Sequence, residues 1–214
     1  MRTISTKPDL AEQVHNLLID AIVTGEYAPG QRITQEEIAD RFGVSRQPVL
    51  QAIVLLRQQG LLLDGPGRRG IHVAALDAEF LINLYEVRAA LDGAAAAAAA
   101  RHDGTSRRAK GMELIRQGRE AVSQGDVHQI VRADWEFHRF MYRAANNPLL
   151  LASAQHHWHH TQRAMSACLA QAGSLRGVWS EHQKILEAVL KHDAKSAERL
   201  SRKHADKSLD LLLG

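Results

Sequence analysis

Residues 34–59 read TQEEIADRFGVSRQPVLQAIVLLRQQ, and this stretch divides into two short helices with a tight turn between them. Ile38 and Phe42 make one apolar face; Val49, Ile53 and Leu56 make another at helical spacing. Gly43 is placed to close the first helix and Ser45 to cap the second. Pro48 falls in the first turn of the second helix, where its missing N–H costs little. This is the grammar of a helix-turn-helix, whose second helix enters a DNA major groove with its N-terminal residues toward base edges. Taken alone, the pattern also fits an ordinary helical hairpin in an all-α core. The next fifteen residues narrow the choice. Two apolar runs, 61–63 and 71–73, flank the Gly/Pro-rich 64–70, which predicts a β-hairpin. A hairpin directly after a helix-turn-helix is the wing of a winged helix.

Charge is distributed to match. The 214-residue chain carries a formal net charge of only +3, and residues 1–74 hold as many acidic as basic groups. Between Asp40 and Asp77, however, Asp64 is the one acid, against Arg41, Arg46, Arg57, Arg68 and Arg69. Phosphate binding wants charge on that helix and wing, although a plain solvated basic face would look the same. No apolar run reaches the roughly eighteen residues of a membrane-spanning helix, so no membrane partner is expected, and the N-terminus lacks the apolar centre of a signal peptide. The single cysteine, Cys168, forms no intrachain disulfide and reads as a small core residue. A reducing, cytoplasmic location is expected.

In chain order, Asp9 is placed to cap a helix running to about Thr24, with Leu10, Val14, Leu17, Leu18, Ala21 and Ile22 on one face and Gly25 as its stop. Residues 28–32 read as a turn into the helix-turn-helix. After Asp77 the strand signals vanish. Six helical segments follow, broken at 103–105, at Gly125-Asp126, at Asn147-Pro148, at 173–174 and before Asp193. The first ends in seven consecutive alanines, Ala94 to Ala100, small side chains that let neighbouring helices approach closely. The fold expected is mainly α: an N-terminal winged helix-turn-helix over residues 1–75 and a C-terminal antiparallel six-helix bundle over 76–214.

The bundle carries a second candidate site. Asp134 and His138 are four residues apart and share a helix face, a usable two-ligand platform for a divalent metal. His182 and His204 lie on the fifth and sixth bundle helices, from which both are able to point inward. Three imidazoles and a carboxylate suit zinc, nickel or manganese. An Asp and a His one turn apart also occur as a simple hydrogen-bonded or exposed pair, and spacing alone leaves the matter open. The run His156-His157-Trp158-His159-His160 competes, since His156 and His160 are also four apart; it reads mainly as exposed or interfacial.

At these residues the chain resembles a known family. Ala28-Pro29-Gly30, Ile38-Ala39, Gly43-Val44-Ser45-Arg46, Pro48-Val49 and Gly60-Leu61 are similar to the winged-helix half of GntR-family bacterial transcription regulators. Leu84-Tyr85-Glu86-Val87-Arg88, Leu91, Phe137-His138, Asn147-Pro148-Leu149 and Glu181-His182 resemble the helical FCD half of its FadR subfamily. Six bundle helices are similar to the VanR-like branch. The resemblance implies a homodimer that binds double-stranded operator DNA and responds to a small carboxylate effector. It implies a divalent metal held by Asp134, His138, His182 and His204, with the effector beside it. Arg88 matches an arginine common on the first bundle helix, able to meet a ligand carboxylate or to form a salt bridge with a neighbouring acid.

The chain also departs from the family pattern. Leu50-Gln51 stands where members usually carry Arg-Glu, and leucine makes no bidentate contact to guanine. Glu36 stands where some members have a further DNA-contacting arginine, and Gln47 where threonine or serine is usual. DNA contacts are therefore expected from Ser45, Arg46, Gln47 and Gln51 on the helix and from Gly67, Arg68 and Arg69 on the wing. Two other readings compete: a direct metal sensor, and a metal-dependent hydrolase or lyase on the bundle. For the second no dedicated general base stands out, because Glu136 lies about 200° round the helix from Asp134 and Glu181 merely adjoins His182 in sequence. The regulator without enzymatic activity is the reading expected.

Overall fold

The computed structural model describes residues 10–65, 70–102, 107–172 and 177–214. Asp9 and the breaks expected at 103–105 and 173–174 lie outside the described residues. The chain forms two compact units, Met1–Leu76 and Asp77–Gly214.

The first unit runs α1 (Leu10–Val23), β1 (Arg32–Ile33), α2 (Gln35–Phe42), α3 (Arg46–Gln58), β2 (Leu62–Asp64) and β3 (Ile71–Val73). Thr34 starts α2 with a reciprocal cap: its hydroxyl accepts from the Glu37 amide at 3.2 Å, and its own amide donates to the Glu37 carboxylate at 2.8 Å. Gly43 ends α2 in the left-handed region at φ 62°, where glycine carries no steric cost. Ser45 holds the N-cap position of α3 with extended backbone, but its hydroxyl makes no capping bond, contrary to expectation. Leu18, Ile38, Val49, Ala52, Ile53 and Leu56 are fully buried and meet Ile33, Ile71 and Val73 from the sheet. On α1 the buried face is Ala11, Val14, Leu18, Ala21 and Ile22, with Ile19 at its edge, while Leu10 and Leu17 are about half exposed. Both leucines lie roughly 80–100° round the helix from Leu18, so the core arc passes them by.

The wing strands pair antiparallel, Leu62 opposite Val73 and Asp64 opposite Ile71. A third strand joins them. Arg32, the last residue of the turn expected at 28–32, forms this strand with Ile33; the two pair with the far edge of β3, which gives the order β1-β3-β2.

The second unit is a six-helix bundle among the described residues: α4 (Ala78–Ala100), α5 (Arg108–Gln124), α6 (Val127–Ala144), α7 (Pro148–Ala172), α8 (Val178–Leu190) and α9 (Ala194–Leu213). Asp77, Asp126 and Asp193 cap α4, α6 and α9, each accepting a backbone amide of the first turn. α4 is the central helix. It lies along α9 and also touches α6, α7 and α8, and its apolar residues therefore run round most of its circumference. Ala95, Ala96, Ala99 and Ala100 are buried, and their small side chains allow that crowding. Gly118 on α5 performs the same service for one large ring: a Cβ there would stand 1.9 Å from the Trp179 indole.

Candidate metal centre and nucleic-acid interface

Asp134 and His138 project from successive turns of α6, His182 from α8 and His204 from α9. Their ligand atoms all lie within 4.8 Å of one another, and all four residues are buried. His182 Nε2 stands 3.1 Å from His204 Nε2 and 3.4 Å from Asp134 Oδ1; His138 Nε2 is 3.7 Å from Asp134 Oδ2. Ligands held at the usual zinc bond lengths are separated by about 3.3–3.4 Å at tetrahedral angles, so these spacings suit one ion.

The tautomers agree with that geometry. His204 Nδ1 lies 3.0 Å from Glu181 Oε2, and His138 Nδ1 lies 3.4 Å from Asp92 Oδ2. A carboxylate behind Nδ1 holds the ring proton there and leaves the Nε2 lone pair facing the centre. Burial, reinforced by His204, His138 and Arg88, pushes the His182 imidazole well below its ordinary range, and burial also lowers His204. Both shifts favour the neutral imidazole, the form that a ligand nitrogen needs. His182 is packed between rings, with Phe137 stacked at 4.3 Å and Trp179 edge-on at 4.7 Å. Two buried atoms of the cluster, Asp134 Oδ2 and His182 Nδ1, have no hydrogen-bond partner among the described residues. The Asp134 oxygen stands 3.5 Å from Arg88 Nη2, an ion pair without a hydrogen bond; a buried carboxylate oxygen without one is costly, and a cation would satisfy it. The donor set fits a divalent ion.

Sequence reasoning set Glu181 aside as a mere neighbour of His182 and missed Asp92. The hydrogen bond from His204, joined by one from Lys207, draws the Glu181 carboxyl down to about 2. Asp92 accepts from Tyr142 Oη at 2.6 Å and from Arg88 Nε at 3.2 Å. Its signal was the i,i+4 pair Arg88/Asp92 on a helix otherwise rich in small apolar residues. Arg88 is 6% exposed and sits amid the cluster: besides Asp92, it donates from Nη1 to Tyr85 Oη at 3.2 Å and from Nη2 to His138 Nε2 at 2.8 Å. It also lines a small cavity of about 30 Å³ beside Asp134 and His204, walled by Tyr85, Leu169 and Leu212. Cys168 borders that cavity, with its thiol against the Leu211 carbonyl and pushed up by burial.

The histidine run on α7 is less uniform than expected. His156 is exposed, but His160 is buried and tilts against Phe80 at 5.1 Å, and Trp158 stacks on Trp135 at 4.3 Å. The helix turns those two residues into the bundle and away from solvent.

In the first unit, Ser45, Arg46, Gln47 and Gln51 are all exposed on the N-terminal half of α3. Gly67, Arg68 and Arg69 lie outside the described residues. Arg46 is not a lone cation: its Nη2 stands 2.6 Å from Glu36 Oε1, with both side chains 68% exposed. Arg41 pairs with Glu26 and Arg57 with Asp64. Leu50 and Val54, 40% and 44% exposed, share the outer face of α3 with the glutamines.

Comparison with known proteins covers both units. Residues 10–73 match the family model described as bacterial regulatory proteins, gntR family, and residues 83–207 match the FCD domain. The HTH-type transcriptional regulator YdhC of Bacillus subtilis is 26% identical over 87% of this chain and 84% of its own length. The probable D-xylose utilization operon transcriptional repressor of Paenarthrobacter nicotinovorans is 29% identical over 93% of this chain and 87% of its own. Among solved structures, E. coli McbR/YncC has the same fold, with a TM-score of 0.82 at 22% identity, covering 99% of this chain and 98% of that one.

Proposed function

The chain belongs to the gntR family of bacterial regulatory proteins and carries an FCD domain, and from this premise we propose that it is a metabolite-responsive transcription regulator whose effector is a small carboxylate bound at a metal centre in the bundle. Its relatives are named as transcription regulators, not enzymes. The finer reading rests on one observation: three imidazoles and a carboxylate, buried and oriented, converge at the wall of a cavity in the same chain as a winged helix.

In this reading Asp134 and the Nε2 atoms of His138, His182 and His204 hold a divalent ion such as zinc, nickel or manganese. When bound, the ion supplies a Lewis-acid position for a carboxylate oxygen. Glu181 and Asp92 orient the imidazoles. Arg88 competes for the His138 Nε2 lone pair, and a carboxylate in the cavity offers the guanidinium a better partner. Tyr85, Leu169 and Leu212 keep water from the ligand. The chain acts as a homodimer on an operator with two half-sites, since two-fold protein symmetry is matched by near-palindromic DNA. Effector binding changes DNA affinity by no more than the effector's differential affinity for the two states. The compartment that fits is the cytoplasm, and no described helix is long and apolar enough to cross a membrane.

The test is a duplex selected from a random library, bound by metal-loaded protein and titrated with small mono- and dicarboxylates. At least one acid is expected to shift DNA affinity by roughly fivefold or more, and His138→Ala is expected to abolish the shift. Full response to the ion alone, with no acid, would make the chain a metal sensor. A strict monomer on DNA at all concentrations would refute the dimer.

A further inference from the structure

The outer face of α3 is unusually poor in unpaired charge for a helix that enters a polyanion's groove. Positions 47, 50, 51 and 54 fall within about 100° of arc and carry Gln47, Leu50, Gln51 and Val54. All four are exposed; Leu50 is 40% and Val54 44% accessible. Next to them Arg46 is tied to Glu36 at 2.6 Å, and farther along the unit Arg41 and Arg57 are tied to Glu26 and Asp64. The strip that faces the groove therefore offers two amides and two branched aliphatic side chains, rather than guanidinium forks.

Those groups have matching partners on base edges. A glutamine amide donates and accepts at once, which fits the N6 donor and N7 acceptor of adenine; the 5-methyl of thymine is the one apolar group that the major groove displays. Guanine, with two acceptors, wants a double donor, and none of these four positions carries an arginine to supply one. Leu50 sits between Gln47 and Gln51 in the half of the helix that reaches deepest into the groove. An exposed leucine is a poor choice against water and a good one against a methyl group.

We propose that α3 reads A·T pairs, with Leu50 packed on the 5-methyl of a thymine in each half-site and with Gln47 and Gln51 bonded to adenines beside it. The proposal rests on the reading of the chain as an operator-binding regulator. It gives Leu50 a specificity-determining role at the position where the resembled family usually carries an arginine.

The experiment begins with selection of duplexes from a random library by the full chain, followed by binding measurements in which each selected thymine is replaced singly by deoxyuridine, a change that removes only the methyl group. A·T pairs at the half-site core are expected. One thymine per half-site should prove sensitive, with affinity lost roughly fourfold, as burial of one methyl-sized group implies. In Leu50→Ala, whose fold is checked by circular dichroism, the thymine and uracil duplexes should bind alike. In Leu50→Arg, selection should move that position toward guanine. Selected half-sites with G·C cores, thymines that are all indifferent to methyl loss, a methyl effect that survives Leu50→Ala, or an unchanged site for Leu50→Arg would each overturn the proposal while leaving DNA binding intact. Failure to select any duplex would overturn the operator-binding reading along with it.

Discussion

His204 meets the cluster with its Nδ1 held 3.0 Å from Glu181, and this contact decides which ring nitrogen is available. Replacing Glu181 with Gln keeps the size and one acceptor but removes the charge that favours the Nδ1 proton. Carboxylates behind ligand histidines are typically worth about 10–100-fold in metal affinity. Glu181→Gln is expected to weaken divalent-metal binding by that amount in calorimetric titration, and His182→Ala/His204→Ala to abolish it. An unchanged affinity for Glu181→Gln would reduce Glu181 to a surface partner of Lys207. The clustering of Asp134, His138, His182 and His204 was legible in the sequence because helical spacing puts the first two on one face, and an antiparallel bundle lets the fifth and sixth helices point the other two inward. Glu181 and Asp92 were not, because their partners lie 23 and 46 positions away along the chain. The same holds for Arg46, whose expected role on DNA could not anticipate Glu36, ten residues earlier on another helix. That exposed pair is worth little, and Arg46→Ala is expected to weaken DNA binding modestly, by loss of a phosphate contact that shows as a shallower salt dependence. An unchanged affinity and slope would remove Arg46 from the interface.

Helix ends were the most legible elements, because capping chemistry is local: Gly43, Gly125, Asp126 and Asp193 each stop or start the helix that their residue type predicts. β1 was not legible. A two-residue strand has no pattern of its own and exists only because β3 offers an edge. Helix packing lay beyond pattern as well. Gly118 reads as an ordinary mid-helix glycine, a residue that usually weakens a helix, yet here it makes the seat for Trp179, which in turn walls His182. Gly118→Ala would gain helix propensity and still destabilise the bundle. With the new methyl 1.9 Å from the indole, the ring must move, at a cost of about 1–3 kcal/mol, and His182 would move with it. Urea unfolding should show the loss of stability, and metal titration a weaker site. Higher stability in Gly118→Ala would mean that Trp179 has somewhere else to go. In the first unit Thr34→Ala, which removes the α2 cap, is expected to cost about 1 kcal/mol without touching metal binding.

At the scale of the whole chain, each unit has its own buried core: one built on Leu18, Ile53 and Leu56, the other on Phe137, Ile185 and Leu186. The candidate ligands for metal belong wholly to the second unit and the candidate groups for DNA wholly to the first. A ligand stabilises only the cooperative unit that contains its site, by RT ln(1 + [L]/Kd). Differential scanning calorimetry of the full chain is therefore expected to resolve two transitions. A divalent ion at a hundred times its Kd should add about 2.7 kcal/mol to the bundle, which for a unit of this size raises its midpoint by roughly 9 °C. The winged-helix transition should stay where it was, and operator DNA should do the reverse. Chelation should return the bundle to its starting midpoint, and His182→Ala/His204→Ala should hold it there whether or not metal is added. A transition that moves as one under either ligand would show that the two cores melt as a single cooperative unit. Metal stabilisation retained by the double variant would shift attention to the exposed His156 and its neighbours on α7 as the place where the ion binds.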